Sequence, residues 1–260
     1  MVNIDRDKLI GHINNLEDKE EIKRVIDKVE IVLNRYLITS TDFLNPHELN
    51  LAISVLNRFK NEVSFEIDGG YYGAENCIIY LYPHYELNIP KRDIDIFKFD
   101  SNSTIKHSDV LGSLLGLGIE RKKIGDILIG KKYTYFFVKN EISNFIEISL
   151  NKISKYNISL ERVEKISTLP KKEYIYKNIF VASPRIDNIV SSFCNVSRSV
   201  AKDKIKSGDV KVNFAVEYRP HFEVNAKDLI SVRKFGRFRI EEFKRKTKKG
   251  NIVLSIKYNK

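Results

Sequence analysis

No stretch of this 260-residue sequence approaches the roughly 18 uninterrupted apolar residues that a membrane-spanning helix needs. The first residues, Met1 to Lys8, are charged and lack the apolar core of a secretory signal, so a cytoplasmic location is expected. Cysteine is scarce. Cys77 and Cys194 stand far apart without CxxC spacing, which argues against a disulfide framework or a cysteine zinc site and makes each a small buried hydrophobe. The histidines, at 12, 47, 84, 107 and 221, show no metal-ligand spacing, and the adjacency of His107, Ser108 and Asp109 is no sign of a triad in space.

Glycine-rich cofactor loops are missing as well. Gly125 to Lys132 nearly spells a P-loop, but Lys132 stands where Ser or Thr is required and the residues between are apolar strand. The glycines at 112, 116 and 118 do not follow the G-x-G-x-x-G order and suit a helix end better. The expectation is therefore no cofactor, no metal, no small-molecule substrate and no catalytic set: a binding protein and not an enzyme.

What the chain does have is localised charge. The net charge is +11. Up to Val181 there are 26 lysines and arginines against 26 aspartates and glutamates; from Ala182 onward there are 19 against 8. A neutral body carrying one basic segment has the electrostatic footprint of a polyanion binder, with nucleic acid or an acidic membrane as the candidates.

The hydrophobic period predicts an α+β chain in several parts. Asp18 to Ile38 reads as a helix with Ile22, Val25, Ile26, Val29, Leu33 and Tyr36 on one side and Asp18 and Glu21 in capping-box positions. A second helix is expected over 46–59, capped by Asn45 with Pro46 at its first position. Strands are expected at 63–67 and 77–82, around the turn Gly69-Gly70-Tyr71-Tyr72-Gly73. These make a helical N-terminal part with short strands, 1–82. Over 83–166 the order strand (94–99), helix (108–116), strands (124–129, 133–138), helix (141–153) and strand (159–164) spells βαββαβ, the ferredoxin-like, RRM-like arrangement. Its basic-then-aromatic run, Lys131 to Phe137, could stack bases or could simply be core. A linker is expected at 167–182, followed by a basic domain at 183–260.

In that last domain Ser183 and Pro184 are expected to open one helix, with Arg185 and Asn188 off its buried side, and Ser197 to cap another that closes at Gly208. Arg198, Lys202 and Lys206, at i, i+4 and i+8, form a basic ridge, with Ala201 and Ile205 turned to the core. A helix N-terminus beside such a ridge attracts phosphate.

The run Arg185-Ile186-Asp187, then Ser197-Arg198-Ser199-x-Ala201, then Gly208-x-Val210-x-Val212-Asn213, then Val224 to Ile230 and Gly236-Arg237-Phe238 resembles the S4 RNA-binding domain. Three positions depart from its pattern. Phe214 and Lys227 stand where glycine is usual, which bears on the turns, and Lys204 takes an apolar position. Upstream, Phe43-Leu44-Asn45-Pro46, the Gly69-Gly70-Tyr71 turn, Leu111 to Gly118, Lys123 to Ile127 and the late Thr247-Lys248-Lys249-Gly250 resemble the YlmH family of S4-domain proteins over nearly the whole chain.

The resemblance implies a helical part, an RRM-like domain and an S4 domain in that order. It also implies a monomer that binds rRNA and tRNA on the large ribosomal subunit, in ribosome-associated quality control of stalled nascent chains. The RNA-binding residues it points to are Arg185, Asp187, Asn188, Ser197, Arg198, Ser199, Lys202, Lys206, Arg237, Lys248 and Lys249. In this reading Asp187 orients Arg185 or touches RNA itself. Two alternatives stand beside it: an RNA-modifying enzyme of the pseudouridine synthase or methyltransferase type that uses S4 for targeting, and anionic-membrane binding through residues 245–249. Against the second, neither a lipidation motif nor a strong apolar face adjoins the basic run.

Overall fold

The computed structural model describes residues 4–86, 88, 93–101, 104–166, 168–170, 173–247 and 250–259, with the side chains of Arg245 and Lys246 set aside. Among these residues the chain is mixed α and β, with seven α-helices and four sheets whose strand pairs are all antiparallel. It divides into two compact units, Met1–Lys171 and Lys172–Lys260.

The first unit opens with α1 (Arg6–Ile10) and α2 (Leu16–Arg35). The cap of α2 is Asn15, whose side chain accepts from the amides of Glu17 and Asp18, so the helix starts before the Asp18/Glu21 pair expected to open it. With Glu17 and Asp18 in its first turn, acidic charge sits at the positive end of the helix dipole. After β1 (Thr39–Ser40), α3 (Pro46–Leu56) begins as expected, with Asn45 and Glu48 capping each other reciprocally. Strands β2 (Val63–Asp68) and β3 (Ile78–Pro83) complete a sheet of order β1-β3-β2. Side chains of β3 alternate between two cores: Ile79 and Leu81 join Ile22, Val25, Ile26 and Val29 of α2, while Ile78 and Tyr80 point the other way.

What they meet is a second sheet. Strands β4 (Ile94–Asp100), β5 (Ile124–Ile129), β6 (Tyr133–Lys139) and β9 (Glu161–Val163) alternate with α4 (His107–Gly116) and α5 (Ser143–Ser149), and a small hairpin, β7 (Lys152–Ile153) and β8 (Tyr156–Asn157), follows α5. The sheet order is β5-β6-β4-β9, so within the βαββαβ series the strands lie fourth, first, third, second. Phe97, Phe99, Phe136 and Val138 face the helices, against Val110, Leu114 and Ile146. Ile96, Tyr135 and Phe137 face the other way and form one core with Phe43, Ile78 and Tyr80. Residues on both sides of position 83 therefore share an interior.

The covering is close. Tyr71 stacks on Phe137 at 4.9 Å between ring centroids. Gly125 is needed for contact, since a Cβ there would lie 2.6 Å from the Phe43 ring. Asp126, buried beside it, accepts from Tyr71 Oη at 2.6 Å, Glu75 N at 2.7 Å, Asn76 N at 3.0 Å and Asn76 Nδ2 at 2.6 Å, which fixes the Gly69–Asn76 turn onto β5. Lys139 is buried and donates to Ser40 Oγ at 2.6 Å and to the Thr41 carbonyl at 3.1 Å.

The second unit is a six-stranded sheet, order β10-β15-β14-β13-β11-β12, made of β10 (Tyr174–Val181), β11 (Val210–Val212), β12 (Ala215–Val216), β13 (Leu229–Val232), β14 (Gly236–Lys246) and β15 (Ile252–Asn259). Helices α6 (Ile186–Cys194) and α7 (Arg198–Lys206) share one core with it. The linker expected at 167–182 is corrected here: Tyr174–Val181 is a full strand, paired along its length with β15. Its Ile179 and Val181 feed the core under α6, and its partner β15 lies too far along the chain for local composition to reveal it.

Candidate nucleic-acid interface

Helix α6 starts at Ile186 with Arg185 in the cap position, not at Ser183 as the sequence suggested. The reason lies in the segment that returns beneath it. Ile186 N donates to the Phe222 carbonyl at 2.8 Å and Asp187 N to the Pro220 carbonyl at 3.2 Å, so the first helical amides are satisfied by backbone rather than by a capping side chain. Ser183 instead accepts from Asn188 Nδ2 at 2.8 Å.

This geometry drops Asp187 into the gap between the two helices, where its side chain is fully buried. Both oxygens are used. Oδ1 accepts from Arg185 Nε at 3.2 Å and from Asn188 N at 2.9 Å; Oδ2 accepts from an Arg185 terminal nitrogen at 3.1 Å and from Arg198 Nε at 3.1 Å, with a terminal nitrogen of Arg198 at 3.0 Å. Burial alone would push the Asp187 carboxyl up, but hydrogen bonds and charge from Arg185 and then Arg198 outweigh it and hold the group below the usual carboxylate range. The arginine side chains stay 35% and 48% exposed, so one edge of each guanidinium is spent on Asp187 and the rest faces solvent. The arrangement presents two cations in fixed positions with donors pointing outward, the geometry suited to phosphate.

Helix α7 extends this edge. Ser197 caps it, its Oγ accepting from Val200 N at 3.3 Å, while Ala201 and Ile205 are fully buried. That burial turns Ser199 and Lys206 outward and leaves Lys202 half-buried alongside Arg198. Gly208 closes the helix at φ +79°. Lys204, at the apolar position, places its ammonium over the Phe235 ring at 5.2 Å and 3.6 Å from Asp209.

Of the residues proposed from sequence, the structure brings Arg185, Asp187, Asn188 and Arg198 into one cluster, with Ser197, Ser199, Lys202 and Lys206 on the adjoining helix. Arg237 is elsewhere, on β14, with its guanidinium 5.4 Å over Phe214. Lys248 and Lys249 lie outside the described residues. Asp187, offered from sequence as an orienting partner or as a contact, is covered and can act only by orienting. A further pair was missed: Arg219 chelates Glu217 through Nε and a terminal nitrogen, each at 2.8 Å, and stacks over Phe222 at 5.1 Å, beside the segment that receives the α6 amides. Its only sequence signal is the i, i+2 spacing of opposite charges in an extended stretch.

For the aromatic run of β6 the structure decides in favour of core. Tyr135 and Phe137 are 4% and 0% exposed, because the sheet face on which they stand is occupied by Phe43, Ile78 and Tyr80, so they cannot stack bases. Cys194 is raised by burial to about 11, which makes it an inert core thiol. Among the described residues no cluster of His, Cys, Asp and Glu is arranged to hold a metal ion, and no helix is long and apolar enough to cross a membrane.

Comparison with known proteins agrees in both halves of the first unit. Residues 17–86 match the family described as "YlmH, N-terminal", and residues 94–167 match the one described as "Putative RNA-binding domain in YlmH". The chain is 28% identical over 239 residues to the ribosome-associated protein quality control protein P2 of Bacillus subtilis (strain 168), covering 90% of this chain and 92% of that one. In fold it is similar to the structure of the cell division protein ylmH from Streptococcus pneumoniae, with a TM-score of 0.51 and 23% identity over 58% of this chain and 93% of that one. With two of its segments matched in order and a relative aligned over nearly the full length, the chain belongs to the YlmH family.

Proposed function

We propose that this protein binds RNA on the ribosome, without catalysis, in the quality control of stalled nascent chains. In this reading residues 183–260 act as an S4 module on rRNA, peptidyl-tRNA or both at the large subunit, in the cytoplasm, as a monomer. The observation that carries the proposal is the buried Asp187 carboxylate gripping Arg185 and Arg198 at the mouth of a helix pair. Arginines held by a covered acid lose little side-chain entropy when they meet phosphate, whereas free surface arginines must be ordered first. The ridge of Lys202 and Lys206 adds charge without needing exact placement, as backbone contacts do. The names of the relatives support the same setting.

The strand order of the middle sheet supports reading that domain as RRM-like, but its sheet face is filled by the N-terminal part, so any RNA it meets would touch a helix or a loop.

Co-sedimentation with purified large subunits at moderate salt tests the proposal. Arg185→Ala with Arg198→Ala should abolish association, and Lys202→Glu with Lys206→Glu, which leaves Asp187 partnered, should weaken it more than tenfold. Affinity should fall steeply with salt, because each neutralised phosphate releases counterion. Unchanged sedimentation of the lysine variant, folded by circular dichroism, would sink the proposal. Mapping modified nucleotides in rRNA incubated with the protein tests the alternative of an RNA-modifying enzyme.

A further inference from the structure

The six-stranded sheet has two faces, and the helix pair covers one of them. On β10, Ile179 and Val181 point into that helix-side core, so the alternate residues Tyr174, Tyr176 and Phe180 project from the opposite face. They are 44%, 65% and 59% exposed, unusual for three aromatic side chains on one face of a strand, where only Asn178 interrupts them. Strand β10 is also an edge strand, so the row stands at the rim of the sheet.

Cations from three further strands project from the same face, beside the carboxylates Glu241 and Glu242. In an antiparallel sheet, directly paired residues project to the same side. Tyr176 pairs with Lys257, and Lys257 with Arg239; one step along, Arg237 pairs with Ser231 and Ser231 with Lys211. Rings at the rim thus lead across adjacent strands, spaced about 4.8 Å apart, into a field of cations. The carboxylates here are already matched: Glu241 to Lys257 at 2.9 Å and Glu242 to Lys244 at 3.5 Å. Lysine over aromatic is already present, with Lys257 Nζ 5.2 Å above the Tyr174 ring. A protein partner would suit exposed rings alone, but rings bordered by net positive charge match a ligand with flat aromatic groups on an anionic backbone.

We infer that this outer face is a second nucleic-acid surface, which takes an unpaired RNA strand by stacking bases on Tyr176 and Phe180 while Arg239 and Lys211 meet its phosphates. It is distinct from the Arg185–Asp187–Arg198 cluster and stands on separate observations. One module would then hold a folded RNA on its helix side and a single strand on its sheet side.

The test is fluorescence anisotropy of the full-length protein with a labelled oligouridine dodecamer at low salt, beside a labelled RNA hairpin. Tyr176→Ala with Phe180→Ala should weaken oligouridine binding at least tenfold, in line with about 1–3 kcal/mol per stacked base, and change hairpin binding less than twofold. Tyr176→Phe should keep wild-type affinity. Lys202→Glu with Lys206→Glu should show the reverse pattern, so failure of the helix-side reading is visible separately. Both rings are more than half exposed, so an unchanged melting temperature is expected and is checked. The proposal is overturned if the double variant binds oligouridine like wild type. It is equally overturned if wild type ignores oligouridine and sedimentation instead shows self-association that the double variant loses.

Discussion

Arg198 and Asp187 are separated by eleven positions and belong to different helices, yet Arg198 Nε donates to Asp187 Oδ2 at 3.1 Å while Arg185 holds the same carboxylate from the other side. One buried acid therefore sets the position of two surface cations, and its removal should be felt in both stability and binding.

Asp187→Asn places an amide NH2 against guanidinium donors, so at least one charged hydrogen bond is lost. The expected cost is about 1–3 kcal/mol, below the figure for a fully buried ion pair because the arginines remain partly solvated. Urea unfolding measures it. Hairpin binding should weaken severalfold although Asp187 is covered, and an unchanged affinity would show that the arginines need no positioning.

The same residue gives a pH signature. A carboxyl held below its ordinary value of 3.8 in the folded chain stabilises the fold fully above that value, and the contribution is lost as pH falls through the lower folded value. Glu217, lowered mainly by its hydrogen bond from Arg219, acts in the same direction. Acid unfolding of wild type should therefore begin below about pH 4, and Asp187→Asn should flatten part of that slope.

Lys227 tests a different device. It holds φ +75°, a left-handed conformation that costs a side chain about 1 kcal/mol or more. Lys227→Gly should raise stability by about 0.5–1 kcal/mol despite losing an exposed contact with Glu241 worth less than that. Lys227→Val should lower it, since a β-branched side chain tolerates this region worst. Thermal melts of the three proteins, in the order Gly, Lys, Val, check the argument.

In the first unit, Asp126 accepts from four donors and gives to none. Asp126→Asn supplies one oxygen where two are required and turns its own NH2 against the donors, for an expected loss of about 2–4 kcal/mol. The Tyr71 phenol, raised first by burial and then by its bond to Asp126, should titrate at lower pH in the variant. An ultraviolet titration reads this directly.

Local signals were legible before any coordinates: the Asn45-Pro46-x-Glu48 cap, the βαββαβ order, the Ser197 cap and the buried Ala201 and Ile205 follow from spacing and chemistry within a few residues. Long-range effects were not. Strand β10 is a strand because β15 pairs with it, and α6 starts at Ile186 because Pro220 and Phe222 offer carbonyls. The turn at Asn213-Phe214, with φ of 48° and 73°, keeps the left-handed geometry that a glycine would have announced, so the missing glycine changed the strain and not the shape. Tyr133 to Phe137 had the composition of a stacking strand, and only the opposing core decided that its rings were interior.

The shared interior of Phe43, Ile78, Tyr80, Ile96, Tyr135 and Phe137 has a practical bearing on how the molecule can be dissected. A cut near residue 83 would strip an oily seam bare on both pieces and invite them to clump, however well their strand order reads. The separation the chain tolerates falls instead at about residue 171, beyond which the basic module carries a complete hydrophobic interior of its own.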